Sequence, residues 1–530
     1  MGGGKLQLSI EGDEDKYIST NPNLNVFKQV YMRHTNFTMV SIEEPCYDFI
    51  HNKHEYDKRL SMDKNTSFKV RIPRNGDLIN NIFLRLDLPK IYSSDIETEG
   101  FKYVPYLGAA CIKHVSFYIE DTKIESLTGE FLFAYHKLHQ SKQKQDIFNK
   151  LIGHRSELYD PVGNIDQSYR SFNNEIFDNR DKLNKYYNSK ASMPNTTLTI
   201  PLTFWFSRNN GLALPLIALQ HHQVYVEVEL RPLRDLFLIL DKNNNYDFYS
   251  KSTKEDITNF LDTSDSKWDL NPRLDINYIF LDNKERNHLS QSNIQYLIEQ
   301  VSYSKVSNIS GSHTLEFELY HPIKEVIILP RRNDANLRNQ WFNFTNLDEP
   351  NMKYKNYQTY YLQTNREDKK PIENLSKDYS DYYSDTDIQK LLKIWNFRKP
   401  TDIPTINNNN YTFYDPSIIK SMSIQIDNKP RLELKEGSYF SKSQLFNHYN
   451  GSYSNDILTY SFSRKPGSFQ PTGMCNASEI DNITFHINMK DPKKESSYQE
   501  SYQYDLLFHF VHYNILDIRN GMGGLVYGNR

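Results

Sequence analysis

The chain has 530 residues, with 63 Lys and Arg against 66 Asp and Glu and a formal net charge of -3. That balance argues against a coat that neutralises nucleic-acid phosphates over its whole surface, and the length predicts roughly two to four domains with ample chain for a core. Aromatic residues make up 14%, with Tyr 38 and Phe 30, so the chain as a whole is not disordered, and its many Asn residues suit strands joined by polar loops.

The start, Met1-Gly2-Gly3-Gly4-Lys5, has no apolar signal core. Gly2 is offered for myristoylation, but Leu6 stands where Ser or Thr is wanted. Thr66 to Ile72 reads T-S-F-K-V-R-I, with Phe68, Val70 and Ile72 on one face and Lys69 and Arg71 on the other. Gln223 to Leu230, Thr314 to Leu319, Met422 to Ile426 and Ile483 to Ile487 alternate in the same way. Turn signals separate such runs at Arg74-Asn75-Gly76-Asp77, Glu120-Asp121-Thr122-Lys123 and Asp427-Asn428-Lys429-Pro430. The pattern predicts antiparallel sheets with one face buried, hence an all-β sandwich. Two stretches do not alternate, Phe131 to Tyr187 and Asn333 to Asn410, although His136 to Leu151 is helix-compatible. Both read as long excursions from the β scaffold. The longest apolar run, Gly211 to Leu219, is too short to span a bilayer, and the protein reads as soluble and unsecreted.

Three landmarks recur in the same order. A strand pair begins at Phe68 and again at Leu315. A hairpin runs from Val115 to Leu127 and again from Met422 to Leu434. The string F-S-R-x-x-G stands at Phe206 to Gly211 and at Phe462 to Gly467. Their spacings agree if each copy carries one of the two long excursions, so the sandwich is read as duplicated. The resulting division is an arm at 1–25, a first sandwich at 26–232 with an insertion near 131–195, a connector at 233–293, and a second sandwich at 294–530 with an insertion near 333–410.

No catalytic constellation rises above background. His51-Asn-Lys-His54-Glu55 has the wrong order for a zinc-protease helix, and a surface loop is the better reading. His221 and His222 adjoin a strand, which sends their rings to opposite faces. Gly521-Met-Gly523-Gly524 lacks the following helix that a phosphate loop needs, so a flexible or tightly turning tail is expected. The three cysteines, Cys46, Cys111 and Cys475, form no CxxC pair and fit a reducing compartment. The Asn-X-Ser/Thr strings at Asn36, Asn65, Asn308 and Asn482 are mostly composition. Catalytic, cofactor-binding and metal residues are therefore expected to be none. The dense run at 211–219 demands burial, under the sandwich rim or in a subunit contact.

Several longer strings resemble the major capsid proteins of nucleocytoplasmic large DNA viruses. They include Gly2-Gly-Gly-Lys-Leu-Gln-Leu, Asn21 to Phe37, Ile72-Pro-Arg-Asn-Gly-Asp-Leu78, Pro201 to Gln220, Tyr296 to Val301, His321-Pro-Ile-Lys-Glu325, Glu436-Gly-Ser-Tyr-Phe440, Gln470 to Asp481 and Tyr513 to Leu525. The resemblance runs in order from residue 2 to about 527. It implies a double jelly roll, two eight-stranded antiparallel sandwiches in tandem with long loop insertions and short helices. It also implies a homotrimeric capsomer of pseudo-hexagonal outline tiling an icosahedral shell, with the arm inside and the excursions as outer towers. Implied partners are neighbouring capsomers, minor capsid and penton proteins and an underlying internal membrane, with no sequence-specific nucleic-acid binding. The implied location is the virion, with assembly in the host cytoplasm. The chain departs from the family pattern near Ala477 and Glu479 and in the segment 333–410. Two other readings stand beside this one: a carbohydrate-binding or carbohydrate-active sandwich with an aromatic sugar groove, and a single-jelly-roll vertex protein, which the duplicated landmarks oppose.

Overall fold

A computed structural model describes residues 3–10, 12–13, 16, 19–23, 25–46, 62–89, 99–155, 158, 195–241, 249–250, 270–346, 417–452, 457–492 and 502–528. The two His residues at 51 and 54 and most of both excursions lie outside the described residues.

Sixteen strands build two bodies of the same topology. In the first they are β1 (Phe37–Pro45), β2 (Thr66–Arg71), β3 (Leu78–Leu88), β4 (Ile112–Ile119), β5 (Thr122–Thr128), β6 (Thr196–Pro201), β7 (Val224–Leu230) and β8 (Arg273–Leu281). One sheet has the order β1-β8-β3-β6 and the other β2-β7-β4-β5. In the second body they are β9 (Ile294–Ile309), β10 (Ser312–Phe317), β11 (Pro322–Arg332), β12 (Ile419–Ile426), β13 (Lys429–Glu436), β14 (Leu458–Ser461), β15 (Ile483–Met489) and β16 (Tyr504–Arg519). Their orders are β9-β16-β11-β14 and β10-β15-β12-β13, the first body's orders repeated. All these pairs are antiparallel, and the strand order is that of a jelly roll, so the chain is a double jelly roll.

The copies match residue by residue. Thr128 lies opposite His114 at the end of the first hairpin, and Glu436 lies opposite Ser421 at the end of the second. Each hairpin then runs through a glycine into a helix. The first helix is α1 (Gly129–His139), followed by α2 (Lys142–Leu151); the second copy has a π turn (Tyr439–Ser443) that continues as Gln444–His448. The landmark glycines are explained by close backbone approach. A Cβ on Gly129 would overlap the carbonyl oxygens of Ala109 and Ile112, and one on Gly437 the carbonyl of Ile419, at the equivalent start of β12.

Strand alternation gives the molecule two ends. From one end leave the connections 46–65, 89–111, 129–195 and 231–272, and in the second body 310–311, 333–418, 437–457 and 490–503. At the other end lie the short turns 72–77, 120–121, 318–321 and 427–428 and the loops 202–223 and 462–482. Here too are the arm that leads into β1, the tail after β16, and α3 (Asn283–Gln291), which joins the two bodies. The ends coincide between bodies. At the short-turn end, His221 N–H donates to Gly521 O at 2.9 Å. At the long-connection end, the Asn339 side chain donates to the carbonyls of Arg234 and Phe237.

Three expectations are corrected. Residues 273–281, assigned to the connector, form β8 between β1 and β3, because R-L-D-I-N-Y-I-F-L alternates and supplies the eighth strand. The start of the first insertion is core: Phe131, Leu132, Ala134 and Leu138 of α1 are fully or almost fully buried. So is the start of the second, where Trp341 and Phe344 pack against the first body's cluster. The run at 211–219 resolves to the rim, with Leu214–Pro215 pairing onto Leu78 and Ile79. The tail is a tight hairpin, with Asn520 and Gly521 both at positive φ and Met522–Leu525 returning along β16.

Gly129→Ala and Gly437→Ala are each expected to cost at least about 1–3 kcal/mol, because the obstacle is backbone that cannot step aside. Urea unfolding of the two variants checks this; an unchanged midpoint in either would contradict the close approach.

Candidate assembly interface

The second body's sheet β9-β16-β11-β14 is buried on both faces along β11 and β16, whereas its edge strand β9 keeps exposed positions such as Leu297 and Tyr303. Val326, Ile328, Phe508 and Phe510 point into the second sandwich, whereas Ile327, Leu329, Leu507 and Val511 belong to the cluster that fills the first body. This is why β11 and β16 read as continuous apolar runs rather than alternating ones. What covers the far face is β5, α1 and the turn Trp205–Arg208 of the first body. The resulting seam holds the two jelly rolls together.

The seam also holds charge. Glu130, in the first turn of α1, accepts from Arg231 at 2.7 Å and from Arg331 of the second body at 3.3 Å. The Trp341 ring lies 4.3 Å from the Arg231 guanidinium and 5.4 Å from that of Arg331. Burial alone would raise Glu130, yet the two guanidiniums outweigh it and hold its carboxyl below the usual range. Arg208, from the first F-S-R-x-x-G, bonds Glu125 at 2.5 Å and lies 3.7 Å from Glu299 of β9. Lys324 donates to Glu299 at 2.6 Å. Glu325 accepts from Tyr449 at 2.8 Å and pairs with His139 at 3.1 Å; burial would raise it, but His139 and Lys324 bring it to about 2. Thr128 does two jobs. Its hydroxyl accepts from Phe131 N–H as the cap of α1 and bonds His509 Nε2 of β16 at 3.0 Å.

The short-turn end is pinned by the string P-R-N-G-D. Arg74 donates to the carbonyls of Leu219, Gln220 and His222, closing the rim over the 211–219 run. Asp77, buried, accepts from Leu281 N–H and from Arg286 of α3. His221 is exposed and His222 half-buried, where its Nδ1 meets the backbone of Gly523. Both histidines thus clamp the tail.

Opposite this seam, the corresponding outer face of the first body is open. Its cross-strand row Glu43, Asp275, Phe83, Pro201 stands where the second body has Tyr303, His509, Ile327, Thr459. Glu43 is exposed, and Asp275 and Phe83 are half-buried, whereas His509 and Ile327 are fully covered. The open face carries an ion-pair lattice in which Arg273 joins Asp87 at 2.9 Å and Glu43 at 3.2 Å, and Arg85 also reaches Glu43.

Sequence reading missed the seam charges. Their signal was present as charged residues set inside apolar strands, Lys324-Glu325 and Arg331-Arg332 around V-I-I-L-P and Arg208 after F-S, but only folding brings them together. The aromatic wealth is spent in the cores: Phe117 packs against Phe204, Trp205 and Phe206, and Phe317 against Phe485, Phe508 and Phe510. A groove of about 380 Å³ opens between Lys123–Ser126 and Gln300–Ser304. Of the carboxylates lining it, Glu125 is taken up by Arg208 and by Trp205 N–H, and Glu318 is exposed, so they do not form a facing acid–base pair. Among the described residues no group of three or more His, Cys, Asp or Glu is placed to hold a metal ion. No helix among them is long and apolar enough to cross a membrane.

Two jelly rolls fused through a buried seam define the double jelly-roll class of viral capsid subunit. Family comparison agrees on both halves. Residues 25–282 match the family described as major capsid protein N-terminus, and 285–524 the one described as large eukaryotic DNA virus major capsid protein. The major capsid protein of Phaeocystis pouchetii virus is 28% identical, and that of Paramecium bursaria Chlorella virus 1 is 26% identical, each aligned over all of both chains. Among solved structures, the quasi-atomic PBCV-1 virus capsid superposes with a TM-score of 0.61 at 21% identity, covering 95% of this chain and 100% of that one. The Faustovirus major capsid protein gives 0.61 at 11% identity, over 96% and 94%. The chain belongs to the major capsid protein family of large DNA viruses, and it is a component of the virion.

Glu130→Ala would leave two buried guanidiniums uncompensated, and a loss of about 3–5 kcal/mol is expected in chemical unfolding. A loss below about 1 kcal/mol would place the pair in the range of solvent-exposed bridges.

A second expectation concerns acid. Burial pushes His136, His154, His509 and His512 down to about 3, 4, 4 and 3. Each is neutral in the fold but has an ordinary value of 6.5 once unfolded, so below that pH the unfolded chain binds more protons. Their contribution is complete above about pH 6.5 and is lost progressively towards pH 4. The urea midpoint should fall between pH 7 and pH 4.5, and His509→Gln should shallow that fall; a flat profile would contradict the buried neutral rings.

Proposed function

We propose that this chain is a structural, non-enzymatic shell subunit. It associates as homotrimers of pseudo-hexagonal outline that tile an icosahedral capsid. The observation that carries the reading is the segregation of the fold into two ends. Two sandwiches stand side by side; the connections 46–65, 89–111, 129–195, 231–272 and 333–418 leave one end, and the arm, the tail, four short turns and the loops 202–223 and 462–482 occupy the other. A plate with an outside and an inside needs this polarity. The long-connection end is assigned to the outer surface and the arm to the inner one.

Six sandwiches from three chains would make a near-hexagonal outline, which packs a plane without gaps. The near-neutral charge limits repulsion between like subunits. Minor capsid and penton proteins and an underlying membrane are the partners proposed for the inner end. There the exposed Phe27, Tyr31, Met32, Phe469 and Met474 offer apolar contacts. Assembly is placed in the host cytoplasm, in keeping with free Cys46, Cys111 and Cys475.

Sedimentation equilibrium of the purified chain tests the reading. A compact trimer at micromolar concentration is the expected result. A monomer that persists at high concentration would overturn it.

A further inference from the structure

The groove between the two bodies is framed by strand edges. It is lined by consecutive residues of β5 (Lys123–Ser126), of β9 (Gln300–Ser304) and of the end of β10 with its turn (Phe317–His321). Successive side chains of a strand point to opposite faces, so a cleft lined by an unbroken run meets the strand's edge and not one of its faces. Among the described residues β5, β9 and β10 are each the last strand of their sheets. Along such an edge every second residue turns its N–H and C=O away from the sheet. β5 and β9 are not paired with each other. Instead the carbonyl of Ile124 is met by the side-chain amide of Gln300. Ile323 and Phe510 add apolar lining, and the turn 318–321 brings the groove to the short-turn end.

A segment that needs covering leaves the same end. Residues 29–36 run without helix or strand into β1. Within and just before them, Val26, Phe27, Val30, Tyr31 and Met32 are 80–99% exposed. Large apolar side chains this open and this close together are built to be covered, and a single chain leaves its own arm outside its own groove. In an extended arm Val30 and Met32 fall on one side and Tyr31 on the other, which suits a strand with one apolar face turned inward. Charge agrees. Residues 17–42 contain Lys28 and Arg33 and no Asp or Glu. The β10 lip of the groove carries the exposed Glu316 and Glu318. Lys123, on the opposite lip, lies 5.9 Å from the Tyr118 ring.

We propose that residues 29–32 of one copy add as a strand to the free edge of β9 in a second copy, filling the groove between its two bodies. The proposal rests on the assembly reading above and is separate from any packing of sandwich against sandwich. Main-chain hydrogen bonds to the outward groups of Gln300–Ser304 hold the arm, and the lining selects it. Val30 and Met32 turn towards Ile323 and Phe510, and Lys28 and Arg33 flank the paired stretch beside the acidic lip. The edge of β9 is thereby closed, so it no longer offers a template for unwanted pairing. Each copy gives one arm and receives one.

Cross-linking tests the seat. Cys46 and Cys111 are buried, so a Cys475→Ser background leaves no accessible thiol. In it, Met32→Cys chains and Ser304→Cys chains are co-expressed and treated with a short bismaleimide. The expected product is a covalent pair of chains whose tryptic peptides join position 32 to position 304. Should a chain with both substitutions bridge internally while the mixture gives no such pair, the arm occupies its own groove and the second copy is overturned as occupant. No such linkage in either sample, while sedimentation still shows an oligomer, would overturn the seat and leave the assembly reading standing; a monomeric wild-type chain would overturn both. Hydrogen exchange gives a second measurement. The outward amides of Gln300–Ser304 should be protected in the assembled wild type. Met32→Asp should speed their exchange at least about tenfold and leave the unfolding midpoint of the subunit unchanged, because Met32 is almost fully exposed in its own chain. Unprotected amides in the wild-type oligomer, or protection that survives Met32→Asp, would refute the proposal.

Discussion

The structure depends on two adjacent strands, β16 and β11, being buried on both faces. Once β16 and β11 serve as a wall of two cores, almost nothing on these two strands faces water, and a charge placed there needs a partner within the protein. That requirement accounts for the apolar density of P-I-K-E-V-I-I-L-P-R-R and L-L-F-H-F-V-H-Y. It also accounts for the geometry around each exception. Glu130 is met by two arginines, Glu325 by a tyrosine, a lysine and a histidine, and His509 by the hydroxyl that caps α1. A buried charge whose partner is missing is far more costly than a pair that is complete, so these residues hold the two bodies in one register.

The same requirement breaks the symmetry of the duplication. Both copies keep the strand order, the glycine after the hairpin and the helix that follows. They differ where covered and open surfaces differ: His509 and Ile327 in one row against Asp275 and Phe83 in the other. The backbone topology is common property of the copies, whereas the side chains on the outer face record what each copy meets.

Much of the fold was legible in the sequence, for a local reason. Alternation in T-S-F-K-V-R-I or V-Y-V-E-V-E-L reports one buried face, and the Asp427-Asn428 turn reports a hairpin, within a few residues of chain. The paired landmarks then gave the duplication. The strand β8 escaped because its partners β1 and β3 lie far away in sequence and its own run follows a polar Asn- and Lys-rich stretch that reads as a linker. The early part of each excursion escaped because α1 and the residues around Trp341 lack period-two alternation, although they are among the best buried in the molecule. The seam was invisible for a deeper reason: Arg208, Glu125 and Glu299 are unremarkable one by one, and their meaning lies in a contact between the copies.

Two tiers of contact follow from the two kinds of face. Inside the chain the seam is buried and largely apolar, with its carboxylates Glu125, Glu130 and Glu325 paired, so separating the bodies would expose both the cluster around Leu329 and Leu507 and several desolvated charges. The open face of the first body is different in kind. Its pairs among Glu43, Arg85, Arg273 and Asp87 are partly solvated, and bridges of this sort contribute at most about 1 kcal/mol each. In the proposed shell this difference has a use. The subunit itself cannot come apart under conditions that let a misplaced neighbour leave, and a lattice built from many such reversible contacts corrects its errors before it closes.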